Sequence, residues 1–170
     1  MSEGEVRTPD YSRAIAGARA WRLAPTLWAR MGGLLWSHAM LNAWTDREEK
    51  VAECDMGHPA PAEGCSCGVY AWQNVDVMRR EGYAPKDHQH IAGVVAGRGR
   101  VIRGGLGYWV AESAVVLAFF DDGYPSPAPD DSGVPRPTKA EAVEAYGLPV
   151  IRYDDFNDFC DDYGLIRHGS

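Results

Sequence analysis

A chain of 170 residues, 45% hydrophobic and 24% charged, has the composition of one globular domain with appendages, which excludes a disordered polymer and a disulfide-dense miniprotein. No apolar run approaches the roughly 18 residues of a membrane-spanning helix, and the start MSEGEVRTPDYSR is charged where a secretory signal is apolar, so a cytoplasmic protein is expected. The net charge of −7 is lopsided: residues 1–103 hold 13 Lys/Arg against 12 Asp/Glu and residues 104–170 hold 4 against 12, an acidity that opposes general nucleic-acid binding.

In chain order, residues 1–14 read as a flexible polar segment and residues 15–120 as a β-rich core domain. Within ARAWRLAPTLWARMGGLLWSHAML, Pro25 and the Gly32-Gly33 pair break any long helix and favour short strands and turns. GVYAWQNVDVMRREG starts as a strand and continues as a short helix, with Asn74 as its N-cap and Gly82 as its stop. From His90 to Phe120 the chain is dense in β-branched and aromatic residues and free of proline, which predicts strands. Gly104 and Gly105 are expected to supply the positive φ of a hairpin turn between RVIR and YWVAE, while Gly93, Gly97 and Gly99 signal bulges or bends.

Residues 121–137 carry five prolines and read as a linker, and residues 138–170 as an acidic two-helix appendage. Thr138 and Glu141 have capping-box spacing. Asp154 or Asp155 caps the last helix, whose Phe156, Phe159, Cys160 and Tyr163 share one face opposite Asp158, Asp161 and Asp162. The fold class expected is α+β: a small antiparallel β core, a curled sheet or partial barrel, stapled by a metal loop and followed by short helices.

The metal expectation comes from CDMGHPAPAEGCSCG, residues 54–68, which gathers three of the four cysteines and one histidine into a Gly- and Pro-rich stretch. Cys54, His58, Cys65 and Cys67 follow a C-x3-H-x6-C-x-C spacing. A reducing cytoplasm turns clustered cysteines toward metal binding, and thiolates with an imidazole suit a closed tetrahedral zinc site. A [2Fe–2S] cluster with Cys3His ligation is the narrower alternative. His88 and His90 could substitute as ligands, whereas Cys160 reads as a core residue.

The run HPAPAEGCSCGVYA, with Cys54 upstream, resembles an uncharacterised family of small actinobacterial and actinophage proteins with a C…H-x-A-P…C-x-C-G-[IV]-Y-A signature; GVVAGRGRV…GYWVAE is similar to that family's next strand segment. The resemblance spans about residues 18–120 and supplies no activity. It implies that the four ligands and the strands form one module in an actinobacterial or phage setting. Trp109 stands where the family pattern would have a basic residue.

The function expected is therefore a zinc-stabilised, non-enzymatic module that binds a protein partner. Arg98, Arg100, Arg103, Tyr108 and Trp109 are the candidate partner-binding residues, since arginines and aromatics anchor interfaces. The same hairpin could instead grip phosphates and stack bases. An enzyme is the third reading, with Cys67 as a thiol nucleophile, His88 or His90 as its base, or a catalytic zinc served by Glu63 or Asp55.

Overall fold

The computed structural model describes residues 14–23, 35–37, 43–44, 49–83, 90–121, 139–144, 146–153 and 155–165. Those residues form eight strands and three helices: β1 (Ile15–Leu23), β2 (Leu35–Ser37), β3 (Ala43–Trp44), β4 (Lys50–Val51), β5 (Val69–Trp72), α1 (Val75–Arg80), β6 (His90–Arg103), β7 (Tyr108–Asp121), α2 (Lys139–Glu144), β8 (Val150–Arg152) and α3 (Phe156–Asp162). The architecture is the expected α+β class with a mostly antiparallel sheet. The expected N-terminal segment (but for Ala14), the linker (but for Asp121), Pro25, the Gly32-Gly33 pair, His88 and Thr138 lie outside the described residues.

The β6–β7 hairpin is the frame. Both strands run 14 residues, because β-branched and aromatic side chains pack well on a pleated surface and no proline interrupts the ladder. Val101, Ile102 and Arg103 pair with Ala111, Val110 and Trp109, so RVIR and YWVAE are partners as expected. The turn differs from expectation. Neither Gly104 nor Gly105 has a positive φ; Gly107 does, at 77°, and its carbonyl accepts from the amides of Gln73 and Asn74, which tie the hairpin tip to the start of α1.

The sheet closes on itself. β1 pairs β6 from Ile15 to Arg22, β6 pairs β7, β7 pairs β5, and β5 returns to β1 through Ala18 and Trp72. Closure into a small barrel demands something inside that fills it without forcing the walls apart. Trp109 is that filler: it is 0% exposed and its indole N–H donates to the Ala16 carbonyl at 3.0 Å. A Cβ on Gly17 would lie 2.6 Å from the indole nitrogen and one on Gly97 would lie 2.7 Å from its ring, so the walls beside the indole must be glycine. Register shifts between Val94 and Val95 and between Arg98 and Val101 bend the long strands around this core.

Two apolar clusters result. One holds Trp21, Leu35, Trp44, Trp109 and Phe119 and is completed by Val143 and Tyr146 at α2. The other lies on the opposite sheet face, where Ala18, Val94, Ala118 and Phe120 receive Met78 from α1 and Phe156, Phe159 and Cys160 from α3. Asn74 accepts from the Val77 amide at 3.1 Å and Asp155 from the Asn157 amide at 2.8 Å, so both expected caps form. The two C-terminal helices are joined by β8, which pairs in parallel with β7 at Phe119–Asp121 and thereby weaves them into the same core.

Arg19 marks the seam between β5 and β2 on β1. Its guanidinium donates to the Tyr70 carbonyl, and to Ser37 Oγ at 2.7 Å, while its carbon lies 5.0 Å over the Trp44 ring. Burial of the charge lowers its pKa from the usual 12.5 to about 10.

Candidate metal centre

The cysteine-rich stretch connects β4 to β5, and both strands pair with the same edge of β7. Lys50 faces Ala114 and Val69 faces Ala111, three positions away or about 10 Å at strand spacing. The Ala52 amide adds a bond of 2.8 Å to the Glu112 carbonyl. The sheet therefore holds the two ends of the loop together, which removes most of the entropic cost of bringing Cys54 near Cys65 and Cys67.

Inside the loop the chain doubles back by two turns. The Gly57 amide donates to the Cys54 carbonyl at 3.1 Å and the Cys65 amide to the Ala62 carbonyl at 3.2 Å. Gly57 sits at φ 77°, in the left-handed region that a side chain would resist. Ala60 and Pro61 are buried beneath the turns and anchor the loop to the body.

These turns bring one ligand atom from each of Cys54, His58, Cys65 and Cys67 within 4.8 Å of one another, an arrangement that could hold a metal ion. Cys54 Sγ lies 3.4 Å from His58 Nε2 and 3.7 Å from Cys65 Sγ. His58 Nδ1 lies 3.1 Å from the Pro59 carbonyl, an oxygen that only accepts. The proton therefore belongs on Nδ1, and the Nε2 lone pair faces the sulfurs, the tautomer a metal-binding imidazole needs. The Pro59 contribution comes from a backbone carbonyl, so no residue type in the sequence announces it.

The electrostatics separate the cysteines. Hydrogen bonds from Cys67, first from its backbone, then its thiol, and from Cys54 bring the Cys65 thiol from the usual 9.0 to about 7. Burial, followed by the neighbouring Cys65 sulfur, pushes the Cys67 thiol up. The hydrogen bond to Pro59, then one to Cys65, raises His58. Cys67 leads into a strand, with α1 beginning only at Val75, so no helix N-terminus lowers its pKa as a thiol nucleophile at that position would need.

The remaining expected residues fall elsewhere. His90 opens β6 opposite Arg22, outside the cluster, and Glu63 and Asp55 are exposed on the loop. Cys160 is fully buried on α3, a core residue as expected. Of the candidate partner-binding residues, Arg98, Arg100 and Arg103 are exposed along β6. Tyr108 is half-buried, its ring 5.9 Å from Tyr70 and 5.8 Å from Trp72. Trp109 is corrected: its indole fills the barrel and presents no face to a partner. The ring contacts that extend from Tyr70 through Tyr108 and Trp72 to Tyr83 escape sequence reasoning, because they join β5, β7 and the segment after α1.

No protein-family model, curated protein or solved structure matches the chain. Among the described residues, no helix is long and apolar enough to cross a membrane.

Proposed function

We propose that the protein is a zinc-stapled, non-enzymatic module that binds a protein partner in the cytoplasm. The observation that carries the reading is the single loop that converges four ligand atoms within 4.8 Å. A regular zinc tetrahedron with Zn–S of about 2.3 Å and Zn–N of about 2.0 Å has edges of about 3.8 Å between sulfurs and about 3.5 Å between sulfur and nitrogen. The separations of 3.7 and 3.4 Å fit those edges. A [2Fe–2S] cluster holds two ligands on each of two irons and spreads them across the cluster, so the compact set favours one ion. Four protein ligands leave no position for the activated water of a catalytic zinc.

The partner reading draws support from the exposed arginines of β6, and the net charge of −7 counts against a nucleic acid in that role. Thiolate ligands suit a reducing compartment. The resemblance of HPAPAEGCSCGVYA to the actinobacterial and actinophage family suggests where such a module would work.

Elemental analysis of the purified protein tests the centre directly. One zinc per chain is expected, with Cys54→Ser reducing it to a small fraction. Iron in place of zinc, or a full equivalent of zinc in Cys54→Ser, would refute the assignment. Cobalt substitution adds a second readout: a tetrahedral thiolate spectrum indifferent to small anions is expected, whereas an anion-sensitive one would reveal an open, catalytic position.

A further inference from the structure

Among the described residues, the far half of β6 is a free sheet edge. β1 leaves β6 where Ile15 meets Gly97, and from Arg98 to Arg103 the strand has β7 on one side and, among the described residues, no strand on the other. The Gly104 amide donates to the Tyr108 carbonyl at 2.9 Å, which makes those two a hydrogen-bonded pair. Antiparallel alternation then makes Ile102–Val110 a bonded pair, and turns the N–H and C=O groups of Val101 and Arg103 away from β7. At the bulge, the Arg100 amide is already taken by Glu112 Oε2 at 3.1 Å.

The edge is also strongly cationic. Arg98, Arg100 and Arg103 are all exposed, and the side-chain ion pairs among the described residues lie elsewhere, between Arg79 and Asp155 and between Arg80 and Glu81. Three guanidinium groups within six residues, none ion-paired among the described residues and with Glu112 as the carboxylate at the bulge, stand beside backbone donors and acceptors facing outward and define what the edge accepts.

We propose that this edge takes an acidic, extended peptide of a partner protein as an added strand. The added backbone pairs with the outward groups of Val101 and Arg103, and carboxylates on the incoming strand meet the arginines. Six residues of edge span about 20 Å, enough for a strand of ordinary length. A second copy of this chain is disfavoured, because antiparallel pairing of β6 with itself sets arginines against arginines. A nucleic acid would satisfy the guanidinium groups but leave the strand amides and carbonyls unmatched, so it does not use what the edge offers. The proposal rests on the interaction-module reading above and names its partner's chemistry and the surface it uses.

The test is fluorescence anisotropy with the full chain and a labelled decapeptide alternating Glu and Val. Saturable, salt-sensitive binding is expected. Reversing the charges (Arg98→Glu, Arg100→Glu, Arg103→Glu) should weaken it about tenfold or more. Val101→Pro, which removes an amide that β7 does not use, should also weaken it while zinc content stays at one per chain. A peptide N-methylated at alternate amides should lose binding as well, because strand addition needs those amides.

Equal binding of the N-methylated peptide would mean charge attraction without strand addition, and would overturn the proposal. So would tighter binding of a single-stranded oligonucleotide, or peptide binding seen only after residues 1–13 are removed, since the chain's own N-terminal segment would then be the occupant. A folded, zinc-loaded protein that ignores the peptide sinks this inference and leaves the zinc centre standing. A zinc-free protein that binds it does the reverse.

Discussion

Gly17 and Trp109 compete for one volume, and the chain resolves the contest by giving up a side chain on β1. A Cβ on Gly17 would meet the indole nitrogen at 2.6 Å and the Ala71 methyl group at 2.8 Å. Gly17→Ala should therefore overpack the barrel and cost about 1–3 kcal/mol. Trp109→Ala should leave a cavity and cost about 3–5 kcal/mol. Urea unfolding measures both, and a Trp109→Ala midpoint equal to that of the native protein would show that the indole does not support the core. Arg19 shows the same economy in polar form: one buried guanidinium satisfies the Tyr70 carbonyl and Ser37 at a place where two strands part.

At the scale of elements, β8 and α3 are clasped by Tyr153, whose hydroxyl donates to Asp162 Oδ2 on the helix. That hydrogen bond, then burial and the charge of Asp162, raises the Tyr153 pKa from the usual 10 to about 12. The sign follows from the direction: a folded-state pKa above the unfolded one contributes stability that is fully present below about pH 10 and disappears as pH rises through about 12. Ultraviolet titration of tyrosinate should show Tyr153 ionising late, alongside Tyr70 and Tyr163, which burial also raises, and Asp162→Asn should move the latest part of the curve down toward 10. A late part of the titration that Asp162→Asn leaves unchanged would mean that the clasp does not form in solution. The metal loop is the contrasting element, held at both ends by β7 but lined inside by little beyond Ala60, Pro61 and Cys67.

That contrast sets the expectation for the whole molecule. The two apolar clusters lie in the sheet and its helices and do not depend on the loop, so chelation should leave the β circular-dichroism signal intact at 25 °C. A ligand present at about a thousand times its dissociation constant stabilises the native state by about 4 kcal/mol, which for a chain of this size is roughly 10 °C in melting temperature. Chelation should lower the melting temperature by about that amount, and added zinc should restore it. Outright unfolding on chelation would show that the loop nucleates the fold, and an unmoved melting temperature would remove the structural role of the metal.

The ligand set, the caps and the long hairpin were legible in the sequence because each is local. Cys54, His58, Cys65 and Cys67 lie within 14 residues, Asn74 and Asp155 act on amides two or three positions away, and strand propensity from His90 to Phe120 needs no distant partner to be read. The positive φ at Gly107 was not legible, since it depends on the Gln73 and Asn74 amides that bind its carbonyl from another element. Nor was the fate of Trp109: an alternating strand offers two faces, and only the return of β5 to β1 decides which face becomes the inside of a barrel. The sequence by itself determined which residues can bind a metal and which segments extend. The tertiary structure alone decided what those segments enclose and, among the described residues, which edge they leave open, because closure and burial are set by pairings between strands far apart in the chain.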